Sequence, residues 1–353
     1  MRSALALLCG IAAVGCSGAR EPADAATPLD VAGDAPSPPR TRGEVRVEAC
    51  SSLGTGPEPC FYTFAYDPAA CPDGRCARLL VYFSGGQESC PDLDPPGGYL
   101  AHYSAAGYVA VCARDFETGD GSGTFPRHLE ASRLDALVRA ITSDPDIARG
   151  WTGEDLLFSG VSHGASGPMI AIAQGDAARA DLWRGSRYTA ACFYDGTYDA
   201  PGLLRTLHDE ECGGTAILSY RRAYERYCAW PSSAGLLPAS WPDPASCDTA
   251  DTRADTLVGA PFSAFLHDFA LVECGSGLTD FCGALLRPLQ PADVLPGAPI
   301  ERLCSEIQAS PGYTCELVSR PDTGHVQCSL DAASADDCNA WFRRRLVAEG
   351  ITP

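Results

Sequence analysis

Apolar positions along this chain follow two alternating rhythms. Short runs, continuous or alternating, read as strands, and between them lie segments whose apolar residues recur three and four apart, as in helices. EVRVEAC (44–50) and CFYTFAYDP (60–68) are the first strand-like runs, with turn residues between them. ARLLVYFSGG (77–86) and YVAVCARD (108–115) are nearly all apolar, as expected of strands covered on both faces, and the helix-compatible YLAHYSAAG separates them. In PRHLEASRLDALVRAIT (126–142), Leu134, Leu137, Val138 and Ile141 share one helical face, and Pro126 suits the helix start. DLLFSG (155–160), the helix-compatible SGPMIAIAQGDAA and the strand candidate YTAACFYDG (188–196) continue the series. GALLRPL (283–289) is the expected seventh strand, followed by a helix in PIERLCSEIQ, a last strand in YTCELVSRP and a closing helix in ADDCNAWFRRRLVAEG. This alternation predicts an α/β fold with right-handed crossovers and a mostly parallel sheet. The rhythm fails between 200 and 282, where aromatics, prolines and cysteines crowd together. A connection so long and so rich in cysteine is expected to be an ordered insertion.

The first residues carry a different pattern. MRSALALLCGIAAVGC places one Arg before a short apolar run, the form of an export signal and too short to span a bilayer. Its end, Ala13-Val14-Gly15-Cys16, resembles the lipobox of bacterial lipoproteins, which implies cleavage after residue 15 and a lipid on Cys16. A plain signal peptide is the alternative. Residues 16–43 are rich in Pro, Ala and Gly without apolar period, a composition that cannot bury enough surface to fold and suits a tether. The folded domain is then expected over 44–350. Eighteen cysteines become sixteen once Cys9 and Cys16 are set aside, an even number that suits disulfides in an exported protein. No Cys-x-x-Cys pair occurs, so no metal site is expected. The net charge of −19 argues against nucleic acid as a partner, and membrane contact is expected only through the lipid. All 26 basic residues are Arg, which removes lysine-dependent Walker, Ser-Lys and Schiff-base chemistry.

Candidate chemistry centres on Gly160-Val161-Ser162-His163-Gly164, a Gly-x-Ser-x-Gly motif. Such a motif makes a nucleophile only where a strand precedes it and a helix follows, because the serine sits on a strained turn and the glycines allow close approach. Both neighbours are expected here. With the strand order, this resembles the α/β-hydrolase fold from about residue 44 to 350: an eight-stranded, mostly parallel sheet flanked by helices, with a cysteine-rich lid insertion at about 200–282. The resemblance implies a Ser-His-Asp triad. Ser162 follows the fifth strand, Asp293 follows the expected seventh, and His325 follows the last strand in SRPDTGHVQC. Asp195, after the sixth strand, is the alternative acid. The resemblance also assigns the oxyanion hole to the backbone of His163 with Gly86 or Gln87, although Ser84-Gly85-Gly86-Gln87 departs from the His-Gly-Gly-Gly of many lipases and esterases. A Cys328–Cys338 bridge pinning the loop after His325 is one open pairing.

These residues define an expected activity. It is a cofactor-free serine hydrolase acting on a small-molecule or polymer carboxylic ester through an acyl-enzyme, in the cell envelope or secreted. A catalytically silent binding lipoprotein and an acyltransferase using the same serine remain the alternatives.

Overall fold

The structure is a computed structural model and describes residues 40–52, 57–84, 90, 98–113, 131–173, 188–196, 198–202, 204, 227–229, 243, 246–254, 256–274, 297–323 and 332–351. All belong to one compact unit, Pro39–Pro353. Its strands are β1 (Arg42–Ser52), β2 (Pro57–Ala65), β3 (Cys76–Phe83), β4 (Tyr108–Ala113), β5 (Trp151–Val161), β6 (Tyr188–Tyr194), β7 (Asp268–Cys274) and β8 (Thr314–Arg320). The helices are α1 (Tyr99–Ala105), α2 (Ala131–Ser143), α3 (Pro145–Gly150), α4 (His163–Ala173), α5 (Ala250–Ala254), α6 (Gly297–Ala309) and α7 (Ala332–Ala348).

The eight strands form one sheet in the order β1-β2-β4-β3-β5-β6-β7-β8. β2 runs antiparallel to β1 and β4, and every other pair is parallel. Parallel strands need covering on both faces, and the sequence supplies it through alternation. Leu79, Val81, Phe83, Val109, Val111, Leu156 and Phe158 pack on one face with residues of α2, α4 and α6. Leu80, Tyr82, Ala110, Cys112, Leu157, Cys192 and Tyr194 pack on the other with residues of α1 and α7.

Two expectations need correction. The seventh strand is DFALVEC (268–274), between β6 and β8, and not GALLRPL. The physical reason is proline. A strand with neighbours on both sides must donate its N–H groups to the ladder, and Pro288 has none to give, whereas 268–274 is proline-free. Residues 283–289 and most of 205–245 lie outside the described residues. The second correction concerns Cys338, which is bonded to Cys192 and so is not available to Cys328. Cys192 on β6 and Cys338 on α7 meet in the buried layer between sheet and helix, with Cα atoms 5.9 Å apart. Further bridges join Cys71–Cys76, Cys90–Cys112, Cys228–Cys247 and Cys304–Cys315, and Cys274 is also disulfide-bonded.

Candidate active site

β5 delivers Ser162 to the carboxyl edge of the sheet, and α4 begins at the next residue. Ser162 has φ 54°, a left-handed conformation that few residues other than glycine adopt. The turn is held from both sides. The Ser162 N–H donates to the carbonyl of Tyr194 at 2.9 Å, and the Ser162 carbonyl accepts from Ala165 N at 3.1 Å and Ser166 N at 2.9 Å. Ser166 Oγ adds a third bond to that carbonyl at 3.0 Å. A residue constrained in this way retains strain that an isolated turn would release.

The flanking glycines are required by space. A Cβ on Gly160 would stand 2.0 Å from the carbonyl oxygen of Gly164. One on Gly164 would stand 2.0 Å from the carbonyl oxygen of Phe83 and 2.5 Å from that of Ser84. These are backbone atoms and have no rotamer with which to yield. The result brings the start of α4 against the end of β3 at Phe83 and Ser84. His163 contributes the first N–H of α4, a position that helix geometry leaves without an intrahelical acceptor and that favours negative charge. Ser84 is buried, and its hydroxyl has no hydrogen-bond partner among the described residues.

A second left-handed residue sits one strand away. Asp195 follows β6 directly, has φ 48° and is 1% exposed. Its N–H donates to the Val272 carbonyl at 2.8 Å, and its Oδ1 accepts from Cys274 N at 3.5 Å, so backbone and side chain both engage β7. Tyr198 lies beside it. A Cβ on Gly196 would meet the Tyr198 ring at 2.4 Å, so glycine there lets the phenol pack closely. The Tyr198 hydroxyl is buried without a hydrogen-bond partner among the described residues, and burial, then the charge of Asp195, pushes its pKa up.

The structure therefore brings Ser162 and Asp195 to the ends of adjacent strands, with β7 and β8 ending alongside. Asp293, His325, Gly86, Gln87 and Cys16 lie outside the described residues. β8 ends at Arg320, and Thr323 N bonds back to the Arg320 carbonyl at 3.1 Å, so a turn starts the segment that bears His325 in the sequence. Tyr194 and Tyr198 were not singled out by sequence. Only the Asp195-Gly196 pair, a common turn signal, pointed to this corner.

The strand order, the antiparallel β2 and the strained serine between β5 and α4 together define the α/β-hydrolase fold, and this chain has it. Among solved structures, it is similar to Candida antarctica lipase A in its closed state, with a TM-score of 0.55 and 12% identity over 88% of this chain and 78% of the lipase. A Pyrobaculum calidifontis esterase matches with a TM-score of 0.51 and 12% identity, covering 89% of this chain and 87% of the esterase. Pyrococcus horikoshii acylaminoacyl peptidase matches with a TM-score of 0.52 and 10% identity, covering 87% of this chain and 42% of the peptidase. No family model matches the sequence, and no curated protein shows significant sequence similarity to it.

Proposed function

We propose that this protein is a serine hydrolase that cleaves carboxylic esters outside the cytoplasm, with Ser162 as nucleophile. The observation that carries this reading is the left-handed Ser162 between β5 and α4, packed by glycines that tolerate no side chain. Its likeness in fold to a lipase and an esterase supports the ester as substrate class, and the many disulfides support an oxidising compartment. Cys16 would carry the lipid that holds the domain at the envelope.

In the proposed reaction the Ser162 oxygen attacks the acyl carbonyl while His325 takes its proton. The oxyanion is met by the His163 N–H and one from Gly86 or Gln87. His325 then gives the proton to the departing alcohol, leaving an acyl-serine. Water, deprotonated by the same imidazole, releases the acid and restores the hydroxyl. A carboxylate holds the imidazole in the correct tautomer. The candidates for that role are Asp293, which falls between β7 and α6 in the sequence, and Asp195, buried one strand from Ser162.

The test is covalent labelling of the purified mature protein with a fluorophosphonate, followed by hydrolysis of p-nitrophenyl esters of increasing chain length. Labelling at Ser162, its loss in Ser162→Ala, and ester turnover are expected. A folded wild type that resists the probe overturns the reading. Asp195→Asn and Asp293→Asn identify the acid, because the correct one lowers kcat about 10⁴-fold.

A further inference from the structure

The surroundings of Tyr194 carry one step more, which rests on the reading that His325 is the base. Tyr194 ends β6 and is fully buried. Its carbonyl holds the Ser162 N–H at 2.9 Å. Its phenol, on the same residue, donates to the carbonyl of Ser334 at 2.5 Å, across 140 residues of sequence. Ser334 lies in the first turn of α7, nine residues after His325 in the sequence. One residue, through its carbonyl and its phenol, thus joins the Ser162 turn to the helix that follows His325 in the sequence.

Neighbouring groups make the tie directional. Tyr99 donates to the Tyr194 hydroxyl at 3.4 Å and shares a bond with Ser159 Oγ on β5 at 3.1 Å. Tyr103 donates to the carbonyl of Ala335 at 3.1 Å, beside the Ser334 contact. At the other end of the segment, Arg320 closes β8 and donates to Ser334 Oγ, with Asp337 3.6 Å away. The end of β8 and the start of α7 are therefore joined at Ser334, and Ser334 is bonded to the residue that holds Ser162. Phenylalanine at 194 would fill the same space, so the hydroxyl adds only its bonds to Ser334 and Tyr99.

We infer that Tyr194 is a positioning residue that ties the Ser162 turn to the first turn of α7, the helix that follows His325 in the sequence, with Arg320 at the end of β8 tied to the same point. Misplacement of a reacting group by about 1 Å can cost 10²-fold in rate. Tyr194→Phe keeps the packing and removes the tie, so kcat and the fluorophosphonate labelling rate should fall about 10- to 100-fold while KM stays within about twofold. Arg320→Gln, at the sheet's edge strand, keeps a long polar side chain and should lower the same rates in a protein that still melts cooperatively.

Tyr108→Phe is the control. Tyr108 donates to Asn339 Oδ1 at 2.6 Å, so this variant also removes a buried bond between sheet and α7, but away from the Ser334 contact. It should lower melting temperature as Tyr194→Phe does and leave kcat unchanged. Wild-type rates in folded Tyr194→Phe and Arg320→Gln overturn this inference and leave the hydrolase reading standing. Equal kcat losses in Tyr108→Phe and Tyr194→Phe would reduce Tyr194 to a structural role and also overturn it. A wild type that does not label at Ser162 overturns both.

Discussion

Two helices flank the proposed chemistry, and they are held by different physics. α4, which follows Ser162, is buried along 164–172 and packed from all sides. Its position is fixed by shape: Gly160 and Gly164 let backbone approach backbone, and no side chain could be inserted between them. α7, which follows the segment bearing His325, buries one stripe, with Trp341, Phe342 and Leu346 inward, and exposes the rest. A half-exposed helix can slide on an apolar surface, because the hydrophobic effect has no preferred direction. Directed bonds remove that freedom. Tyr194 and Tyr103 hold its first turn, Cys338 is covalently fixed to β6, and Arg345 reaches Asp268 at 2.6 Å near its other end. The serine side is thus located by the absence of atoms and the other side by specific ones.

Breaking the steric side should have the largest effect. In Gly164→Ala the new Cβ would meet the carbonyls of Phe83 and Ser84, and relief requires β3 and α4 to separate. A loss of about 5 kcal/mol or more is expected, enough to abolish a cooperative melting transition. A Gly164→Ala protein melting with the wild type would remove the steric account. The covalent part of the other side comes next. The Cys192–Cys338 bridge closes a loop of 146 residues, and replacing both cysteines by serine should cost about 4 kcal/mol. Urea midpoints of the oxidised proteins measure it, and a change under about 1 kcal/mol would show that α7 is held without the bridge.

How legible each side was follows from the same difference. The serine turn is local: an apolar run, two glycines and another apolar run specify it within about twenty residues, and sequence alone placed Ser162 between strand and helix. Asp195 was also visible, as the carboxylate directly after the sixth strand, although its engagement with β7 was not. Tyr194 was invisible. A tyrosine inside YTAACFY reads only as core, and what distinguishes it is a carbonyl 140 residues away. Pairing of Cys192 with Cys338 was hidden for the same reason. β7 was missed by a different route, because DFALVEC lies at the end of a proline- and aromatic-rich stretch whose irregularity masked its last apolar run.

Alkali should sharpen the comparison, because the sheet face covered by α1 and α7 carries the buried phenols Tyr99, Tyr103, Tyr108 and Tyr194. Burial pushes Tyr108 up to about 12, against the lowering influence of Arg78 over its ring. Below about pH 10 the phenol is neutral in both folded and unfolded chains and pH has no effect through it. Between about 10 and 12 the unfolded chain loses the proton while the folded one keeps it. The folded state then binds more protons, so stability falls as pH rises, by about 1.4 kcal/mol per pH unit for this one group. Tyr103 and Tyr194, both raised by burial, add to the slope. Tyr108→Phe should flatten the alkaline limb of a melting-temperature profile by that share, and an unchanged limb would contradict the assignment.

The smallest effect tests whether direction or charge is what fixes α7. Arg344 pairs with Glu316 of β8 at 2.6 Å, yet the side chains are 57% and 46% exposed. Water screens such a pair, and ordering two long side chains offsets most of the attraction. Arg344→Gln should therefore change stability by less than about 0.5 kcal/mol at physiological salt and leave ester turnover unchanged. A larger loss, diminishing as salt is raised, would mean that surface charge locates this helix and that the phenols only fill space. A negligible one leaves the work to groups removed from water, where a hydroxyl with one available acceptor has one place to be.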